Sequence, residues 1–186
     1  MNAEEMFRKS GAVLEGHFIL TSGRHSPIYW EKFRVMQYPE YVQQLCGMIA
    51  RNFKNQSIQL VAGPTTAGII LAFEVARQMS TRAIYAEKAE GKTFTFKRGA
   101  AINPGDRVLV VDDVLTTGGS IKEVISAIKE RGGIVAGVGV LVERSEQPLD
   151  FGAPLFGCHH ATAVSYPSDN CPLCDAKITL VKPGGS

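Results

Sequence analysis

The sequence predicts an α/β domain in which helices flank a mostly parallel central sheet. Four apolar runs have the length of buried strands, at residues 58–63, 82–88, 107–113 and 134–144. A helical pattern follows the first run and another follows the third. This alternation of strand and helix indicates right-handed βαβ units. A chain of 186 residues is long enough for one such domain with a sizeable core.

Three segments carry helical patterns. The first begins at Pro39, which is tolerated in a first helical turn. The second, at residues 65–79, lies behind a threonine cap. The third, at residues 119–133, has an apolar stripe and ends at two glycines. The apolar residues of the first helix recur at helical spacing: Val42, Leu45, Cys46, Ile49 and Phe53.

The regions outside this core are less regular. Residues 90–106 are polar, contain glycine and alternate weakly, which predicts a flexible loop or an exposed hairpin. The N-terminal and C-terminal thirds are interpreted as additions to the sheet.

Composition excludes several classes of protein. A net charge of +2 gives no general case for nucleic acid or a membrane as partner. The N-terminus carries acidic residues and no long apolar run, and no stretch approaches the roughly 20 apolar residues that span a bilayer. We therefore expect a cytoplasmic protein with reduced cysteines.

The stretch VVDDVLTTGGS, Val110–Ser120, has the pattern of a ligand site. In open α/β sheets, ligands bind at the carboxyl ends of the strands, where Asp112 and Asp113 are expected. The following turn, Thr116–Ser120, leads into a helix whose free N–H groups and dipole favour a phosphate. Its glycines allow close approach of the backbone, and its hydroxyls add donors.

The two aspartates must face a different part of the ligand, because carboxylates repel phosphate. Ionised carboxylates accept hydrogen bonds from sugar hydroxyls, so the pattern predicts a site for a ribose 5-phosphate. The alternative is an ordinary strand-to-helix turn, but such a turn does not require two acids at a buried strand end, where unpaired charge is costly. The P-loop and dinucleotide-binding motifs are absent from the sequence.

This stretch resembles the phosphoribosyl pyrophosphate (PRPP) motif of the type I phosphoribosyltransferases. The resemblance implies their fold, a mostly parallel sheet flanked by helices with a small N-terminal hood over the base site. It also implies a PRPP site formed by Lys88, Asp112, Asp113, Val114, Leu115, Thr116, Thr117, Gly118, Gly119 and Ser120.

Further segments resemble the orotate phosphoribosyltransferases. Residues 16–35 are similar to their hood segment, residues 62–72 to their pyrophosphate loop, and residues 140–146 to the strand whose arginine contacts the orotate carboxylate. The C-terminal tail is similar to that of a shorter bacterial and archaeal branch. The resemblance covers the chain, so residues 1–186 are interpreted as one domain, with residues 1–37 and the tail contributing the hood and peripheral elements.

The resemblance implies transfer of the 5-phosphoribosyl group from PRPP to orotate, giving orotidine 5′-phosphate and pyrophosphate. Thr116 and Arg144 would bind orotate, although Arg144 could instead pair with Glu143 or Glu146 at the surface. Tyr29 and Trp30 could cover the base or pack in the core.

The catalytic residues implied are Asp112, Asp113 and Lys92, with magnesium held through the substrate and the two aspartates. Lys92 lies in a loop, residues 90–99, that in the family reaches into the active site of the partner subunit. A homodimer with loop exchange is therefore expected.

The chain departs from the orotate pattern at two positions. Thr21 and Ala67 stand where many of these enzymes carry lysine. Each charged contact of that kind is typically worth about 1.5–3 kcal/mol. Three cations could compensate for them: Arg24, Lys32 and Lys88.

The C-terminal third contains a cysteine and histidine pattern, C-H-H-x10-C-x2-C, that begins at Cys158 and ends at Cys174. Two cysteines separated by two residues are a common half of a zinc site. One interpretation is zinc bound by Cys158, Cys171 and Cys174, with His159 or His160 nearby. The other is a cysteine within a strand and histidines at the surface.

Two other functions remain open at this point. A purine-base phosphoribosyltransferase would share the sugar-phosphate loop. A regulatory nucleotide-binding protein of the same fold should carry a basic face or a winged-helix addition. The hood segment and Arg144 favour an acidic pyrimidine.

Overall fold

The computed structural model describes residues 1–20, 22–89, 93–97, 99–145, 147–161 and 164–183. The chain divides into two compact units: the larger is Pro39–Ala161, and the smaller combines Met1–Tyr38 with Thr162–Ser186. The elements in chain order are α1 (Ala3–Lys9), β1 (Val13–Ile19), β2 (His25–Trp30), α2 (Lys32–Met36), α3 (Pro39–Asn52), β3 (Leu60–Pro64), α4 (Ala67–Met79), β4 (Arg82–Lys88), β5 (Phe94–Phe96), β6 (Arg107–Leu115), α5 (Gly119–Lys129), β7 (Ile134–Glu143), β8 (Leu155–His160) and α6 (Pro172–Asp175).

A six-stranded sheet forms the centre of the larger unit, in the order β5-β4-β3-β6-β7-β8. Every neighbouring pair is parallel except β4 and β5. Residues 108–111 of β6 are fully buried, as expected for a central strand covered on both faces. The predicted mostly parallel sheet with flanking helices is therefore confirmed.

Helix α3 approaches β7 closely because β7 carries glycine at the contact. A Cβ atom built on Gly139 would lie 2.5 Å from Cγ2 of Ile49. On α5, the predicted apolar stripe, including Ile121, Val124 and Ile128, joins a cluster with the buried side chains of β6. Binary patterning thus places both helices against the sheet.

Two local details differ from the sequence prediction. Strand β6 continues through Leu115, because Val114 and Leu115 pair with Val142 and Glu143 of β7. Asp112 and Asp113, predicted as the last two residues of this strand, are therefore followed by two further strand residues. Helix α4 begins behind Thr66, as predicted, but among the described residues the Thr66 side chain makes no capping hydrogen bond.

The region at residues 90–106 forms a hairpin in part. Strand β5 pairs antiparallel with β4, and its two phenylalanines, Phe94 and Phe96, are buried. The weak alternation of the sequence thus corresponds to a half-buried edge strand. Glu90, Gly91, Lys92 and Arg98 lie outside the described residues.

The smaller unit is built on the antiparallel pair β1 and β2. Helix α1 begins with a capping box formed by Asn2 and Glu5, and it buries Met6 and Phe7. In the described part of the chain, no helix combines the length and the hydropathy needed to cross a bilayer.

The start of β6 is held by a buried carboxylate. Asp106 accepts hydrogen bonds from the backbone N–H of Asn103 at 2.8 Å and from Nη2 of Arg82 at 2.6 Å. The Asn103 N–H and the Arg82 guanidinium favour the ionised form, so the pKa of Asp106 is lowered. These bonds tie the loop before β6 to β4, on the far side of β3.

We predict that Asp106→Asn lowers the free energy of unfolding at neutral pH by about 1–3 kcal/mol, because it removes a charge-assisted hydrogen bond. A carboxyl whose pKa is lower in the folded state stabilises the fold above its unfolded pKa of about 4. The difference in unfolding free energy between the two proteins should therefore shrink as the pH falls from about 4 towards the lower pKa of the folded state. Denaturant unfolding at several pH values measures it. Asp169→Asn, at an exposed carboxylate, is the control, and an equal loss in that variant would contradict the assignment.

Candidate active site

A polar cradle lies between β6 and α5. It is lined by Asp112, Val114, Leu115, Thr116, Thr117, Gly118, Gly119, Ser120 and Ile121. The hydroxyl-bearing residues Thr116, Thr117 and Ser120 are exposed. The first N–H groups of an α-helix have no partner within the helix. The cradle therefore offers N–H groups, hydroxyls and a positive dipole end to an anion.

The shape of this turn depends on Gly118. It precedes α5 with φ of 75° and ψ of 8°, the left-handed conformation that glycine adopts without steric cost. A Cβ atom at this position would also lie 3.0 Å from the ring of Phe151 and 3.2 Å from Leu149. Backbone conformation and packing thus both require glycine here.

The two aspartates differ in environment. Successive side chains of a strand point to opposite faces of the sheet. Asp112 is half-buried and lines the cradle, whereas Asp113 is only 3% exposed. Oδ1 of Asp113 accepts a hydrogen bond from the N–H of Val114 at 2.6 Å, and Oδ1 of Asp112 accepts one from the N–H of Asp113 at 2.9 Å. Asp112 therefore lines the cradle, whereas the side chain of Asp113 is buried and bonded to the backbone of β6.

A second glycine-bearing turn joins β3 to α4. Gly63 and Gly68 touch across it: a Cβ on Gly63 would lie 2.5 Å from the carbonyl oxygen of Gly68. The Thr65–Thr66 peptide within the turn is cis. Because β3 and β6 are parallel neighbours, this turn and the cradle lie at the same edge of the sheet, the one formed by the carboxyl ends of the parallel strands. Ala67 is buried at the start of α4.

Lys88 ends β4 at that same edge, since β4 runs parallel to β3. Its side chain is exposed, with Nζ 5.3 Å from the centroid of the Phe94 ring. Strand β4 is tied to the β3–α4 turn, because the N–H of Thr65 in that turn donates to the carbonyl oxygen of Ala86 at 2.9 Å. Lys88 is therefore a described cation on the strand beside this turn. Lys92 lies outside the described residues.

Arg144 directly follows β7 and is half-buried. Its backbone N–H donates to the carbonyl of Leu115 at 2.8 Å, which fixes it beside the end of β6. The neighbouring carboxylate of Glu143 accepts from the Ser145 hydroxyl at 3.1 Å and lies 3.1 Å from Nδ1 of His160. Glu146 is outside the described residues.

Several predicted residues belong to the smaller unit. Trp30 packs edge-on against Phe7 with ring centroids 5.3 Å apart, and Tyr29 lies 5.7 Å from Phe18. Arg24 donates to the hydroxyl and to the carbonyl oxygen of Ser165, both at 2.8 Å. These contacts give each side chain a packing or tethering role within its own unit. Thr21 is not among the described residues.

The predicted compensating cations therefore differ in position. Lys88 lies on the sheet edge with the two turns. Arg24 is bonded to the C-terminal segment, and Nζ of Lys32 lies 5.5 Å from the ring of Phe33 within the smaller unit.

The cysteines separate into two environments. Cys158 lies on β8 of the larger unit, where its thiol donates to the carbonyl of Leu45 at 3.4 Å. Burial raises the pKa of Cys158 to about 12. Burial also raises the pKa of Cys46. Cys171 and Cys174 instead group with His17 and His25 of the smaller unit.

The sequence pattern did not connect those two histidines with the cysteines. They lie about 150 positions before the cysteines, so no local spacing connects them. The histidines that adjoin Cys158 in sequence, His159 and His160, lie with it on β8 of the larger unit. The group of four does not include them.

Known proteins resemble this chain over most of its length. The family model described as a phosphoribosyl transferase domain matches residues 37–162. An orotate phosphoribosyltransferase of Desulforamulus reducens is 46% identical, covering 99% of this chain and 97% of that protein. One from Pelotomaculum thermopropionicum is 48% identical over 96% of this chain and 94% of its own.

A solved structure agrees with the sequence relatives. The crystal structure of orotate phosphoribosyltransferase from Aeropyrum pernix superimposes with a TM-score of 0.73 at 28% identity, covering 86% of this chain and 93% of that chain. With the cradle after β6 and the glycine turn after β3, these similarities lead to one assignment. The chain belongs to the phosphoribosyl transferase family, among the orotate phosphoribosyltransferases.

Proposed function

We propose that this protein transfers the 5-phosphoribosyl group from PRPP to orotate, giving orotidine 5′-phosphate and pyrophosphate in pyrimidine nucleotide synthesis. The observation that carries the proposal is the arrangement at one sheet edge. A carboxylate and a hydroxyl-rich anion cradle adjoin each other there, with an arginine beside them. A pentose phosphate needs the first two features, and an acidic base needs the third.

The cradle suits the sugar-phosphate end of PRPP. The N–H groups at the start of α5 and the hydroxyls of Thr117 and Ser120 donate to the 5′-phosphate. Asp112, half-buried on the same cradle, accepts from the ribose hydroxyls. Asp113 supports this geometry through its bond to the backbone of Val114.

The turn between β3 and α4 suits the pyrophosphate. The absence of side chains at Gly63 and Gly68 brings backbone groups close to the ligand. Many orotate phosphoribosyltransferases carry a lysine at the position of Ala67. Here Lys88, at the same edge, supplies the positive charge instead. Lys92 of the adjoining loop is the further cation that we assign to the departing pyrophosphate.

The residues of this edge fit a magnesium ion. Mg²⁺ prefers oxygen ligands and is usually held by one or two carboxylates together with substrate phosphates, and Asp112 presents such a carboxylate to the cradle. When bound, the ion neutralises negative charge on the pyrophosphate and orients it.

The chain's own contribution is to position and enclose the reactants. Attack by N1 of orotate on C1 of the ribose forms the new bond as the bond to pyrophosphate breaks, with positive charge developing on the ribose ring as in glycoside chemistry. N1 loses its proton in this step, and an oxygen of the departing pyrophosphate can accept it. No protein nucleophile is required. The cradle and the glycine turn hold the donor at both ends, which fixes its C1 relative to the base. Preorganised N–H groups and lysines stabilise the leaving pyrophosphate.

The base site is assigned to Arg144 and Thr116. The Arg144 guanidinium offers a planar pair of donors for the orotate carboxylate, and the Thr116 hydroxyl adds a donor from the cradle. We propose that residues 1–186 act as one functional domain, with residues 1–37 and the C-terminal tail contributing the hood and peripheral elements.

The substrate is tested by assaying the protein with orotate, uracil, adenine and hypoxanthine in parallel. We predict turnover with orotate alone, and we predict that Arg144→Ala raises the KM for orotate by about 10- to 100-fold. That range is the loss expected for one charge-assisted hydrogen bond. The KM for PRPP should change little, because Arg144 lies beside the cradle and not in its lining.

Arg131→Ala is the matched control, since the Arg131 guanidinium donates to the carbonyl of Phe96 instead. Turnover with a purine base, or no turnover with any base, would reject the proposed substrate. Equal changes in both KM values would reject the role of Arg144 while leaving the reaction intact.

The role of the strand-end carboxylate is tested by Asp112→Asn. The amide keeps the shape of the side chain but loses the charge and one acceptor, so turnover should fall on the order of 100-fold with an unchanged unfolding transition. Asp169→Asn, at an exposed carboxylate of the smaller unit, is the control variant. Full turnover of Asp112→Asn would remove this carboxylate from the mechanism.

We also propose a homodimer, in which the segment between β4 and β5, including Lys92, reaches the partner's site; residues 94–96 of the predicted loop instead pair with β4. Support comes from α4, whose outer face exposes Ile70 at 45% and Phe73 at 66%. These side chains are three residues apart and therefore neighbours on the helix. Adjacent large apolar groups at the surface mark an interaction site. A cytoplasmic location is part of the same proposal.

We predict that Phe73→Glu dissociates the dimer, as measured by analytical ultracentrifugation, and lowers turnover because Lys92 no longer reaches its partner. Ile134→Glu, at an apolar residue of similar exposure at the start of β7, should leave the mass unchanged. A monomeric wild-type protein with full activity, or a dimeric Phe73→Glu variant, would contradict this interface.

A further inference from the structure

We propose that the smaller unit binds one structural Zn²⁺ ion through His17, His25, Cys171 and Cys174. The ligand atoms of these four residues lie within 4.8 Å of one another. Two imidazoles and two thiols form a ligand set typical of tetrahedral zinc. The site is separate from the residues assigned to phosphoribosyl transfer.

The nitrogen-to-sulfur distances are close to the edges of a coordination tetrahedron, and the distance between the two nitrogens is about 0.4 Å shorter than its edge. With Zn–N near 2.05 Å and Zn–S near 2.3 Å, those edges are about 3.3 Å between nitrogens and about 3.5 Å from nitrogen to sulfur. In the structure Nε2 of His17 lies 2.9 Å from Nδ1 of His25. Nε2 of His17 lies 3.6 Å from Sγ of Cys171 and 3.8 Å from Sγ of Cys174. Nδ1 of His25 lies 3.3 Å from Sγ of Cys174.

A carbonyl group fixes the orientation of the His17 ring. Nδ1 of His17 lies 2.8 Å from the carbonyl oxygen of Ile178, and it must carry the hydrogen because a carbonyl only accepts. Nε2 is then the unprotonated nitrogen, and it points at both thiols. Metal-bound histidines usually make this kind of hydrogen bond through their second nitrogen.

A β-bulge aims His17 inward. The pairing of β1 with β2 shifts between Glu15 and Phe18, so one extra residue stands on β1. As a result the consecutive residues His17 and Phe18 are both buried, at 2% and 6% exposure. A regular strand would turn one of them outward. His25, on β2, is also buried.

The two cysteines lie on one tight turn. The carbonyl of Cys171 accepts from the N–H of Cys174 at 3.0 Å and from that of Asp175 at 3.2 Å. Pro172 occupies the first position of the short helix α6. This turn directs both thiols toward the imidazoles, in the C-x2-C arrangement of zinc knuckles.

The proposed ion explains how the C-terminal segment is held. Among the described residues 164–183, Cys171 is the one that is buried, and Ile178, Leu180 and Val181 are exposed. The segment meets the hairpin by backbone bonds at its two edges, Val181 beside β1 and Tyr166 beside β2. Small units with little apolar core commonly depend on a metal or a disulfide.

A closed set of four protein ligands indicates a structural ion and not a catalytic one. Zinc would join positions 17 and 25 to positions 171 and 174, so it would close a long loop of the chain. Iron in the same ligand set and a disulfide between Cys171 and Cys174 are the competing outcomes.

The test is the metal content of the full-length protein, purified without a histidine tag, under reducing conditions and without chelator. Inductively coupled plasma mass spectrometry should find about one zinc per chain. Cys171→Ser, Cys174→Ser and His17→Ala should each lose most of it. Cys158→Ser and His160→Ala, whose side chains lie on β8 of the larger unit, should keep it.

A second measurement does not depend on how the variants fold. Cobalt(II) added to wild-type protein stripped of metal should give the intense visible bands of a tetrahedral site and a thiolate charge-transfer band, and zinc should abolish both. Chelation should also make residues 164–183 more sensitive to protease.

Three results would overturn the proposal. They are a wild-type protein with neither stoichiometric zinc nor a tetrahedral cobalt spectrum, stoichiometric iron in place of zinc, or alkylation that labels Cys171 and Cys174 only after reduction. Zinc retained in the Cys171→Ser and Cys174→Ser variants but lost from Cys158→Ser would equally reject this ligand set.

Discussion

Parallel pairing of β3, β4, β6 and β7 is the constraint on which the rest of the site depends. Strands that run in one direction end at one edge, so the turns that follow them meet there. The glycine turn after β3, Lys88 at the end of β4, the cradle after β6 and Arg144 after β7 are all consequences of this pairing. Each contributes little alone, and the sheet determines their spacing.

Close backbone contact has a specific role at this edge. The left-handed Gly118 and the touching pair Gly63 and Gly68 occupy positions where any side chain would clash. Ala67, next to Gly68 of that pair, carries no charge at the start of α4. Backbone donors and a helix dipole are fixed by the fold, and they therefore need no side-chain ordering when an anion binds.

The sequence allowed much of this to be predicted, because the informative signals are local. The apolar run ending in Asp112 and Asp113 predicted a central strand, and TTGGS predicted the cradle. Two features were not accessible. The continuation of β6 to Leu115 is imposed by its pairing with β7. The grouping of His17 and His25 with Cys171 and Cys174 depends on the hairpin bulge and on chain positions far apart in sequence.

The central claim is that a strand-end carboxylate and the adjoining helix start together hold a pentose phosphate. A crystal structure of the protein with ribose 5-phosphate tests it most directly. The phosphate should lie about 3 Å from the N–H groups and hydroxyls of Thr117–Ser120, with the ribose hydroxyls facing Asp112. A phosphate bound at any other place on the protein, with the cradle left to solvent, would contradict the account.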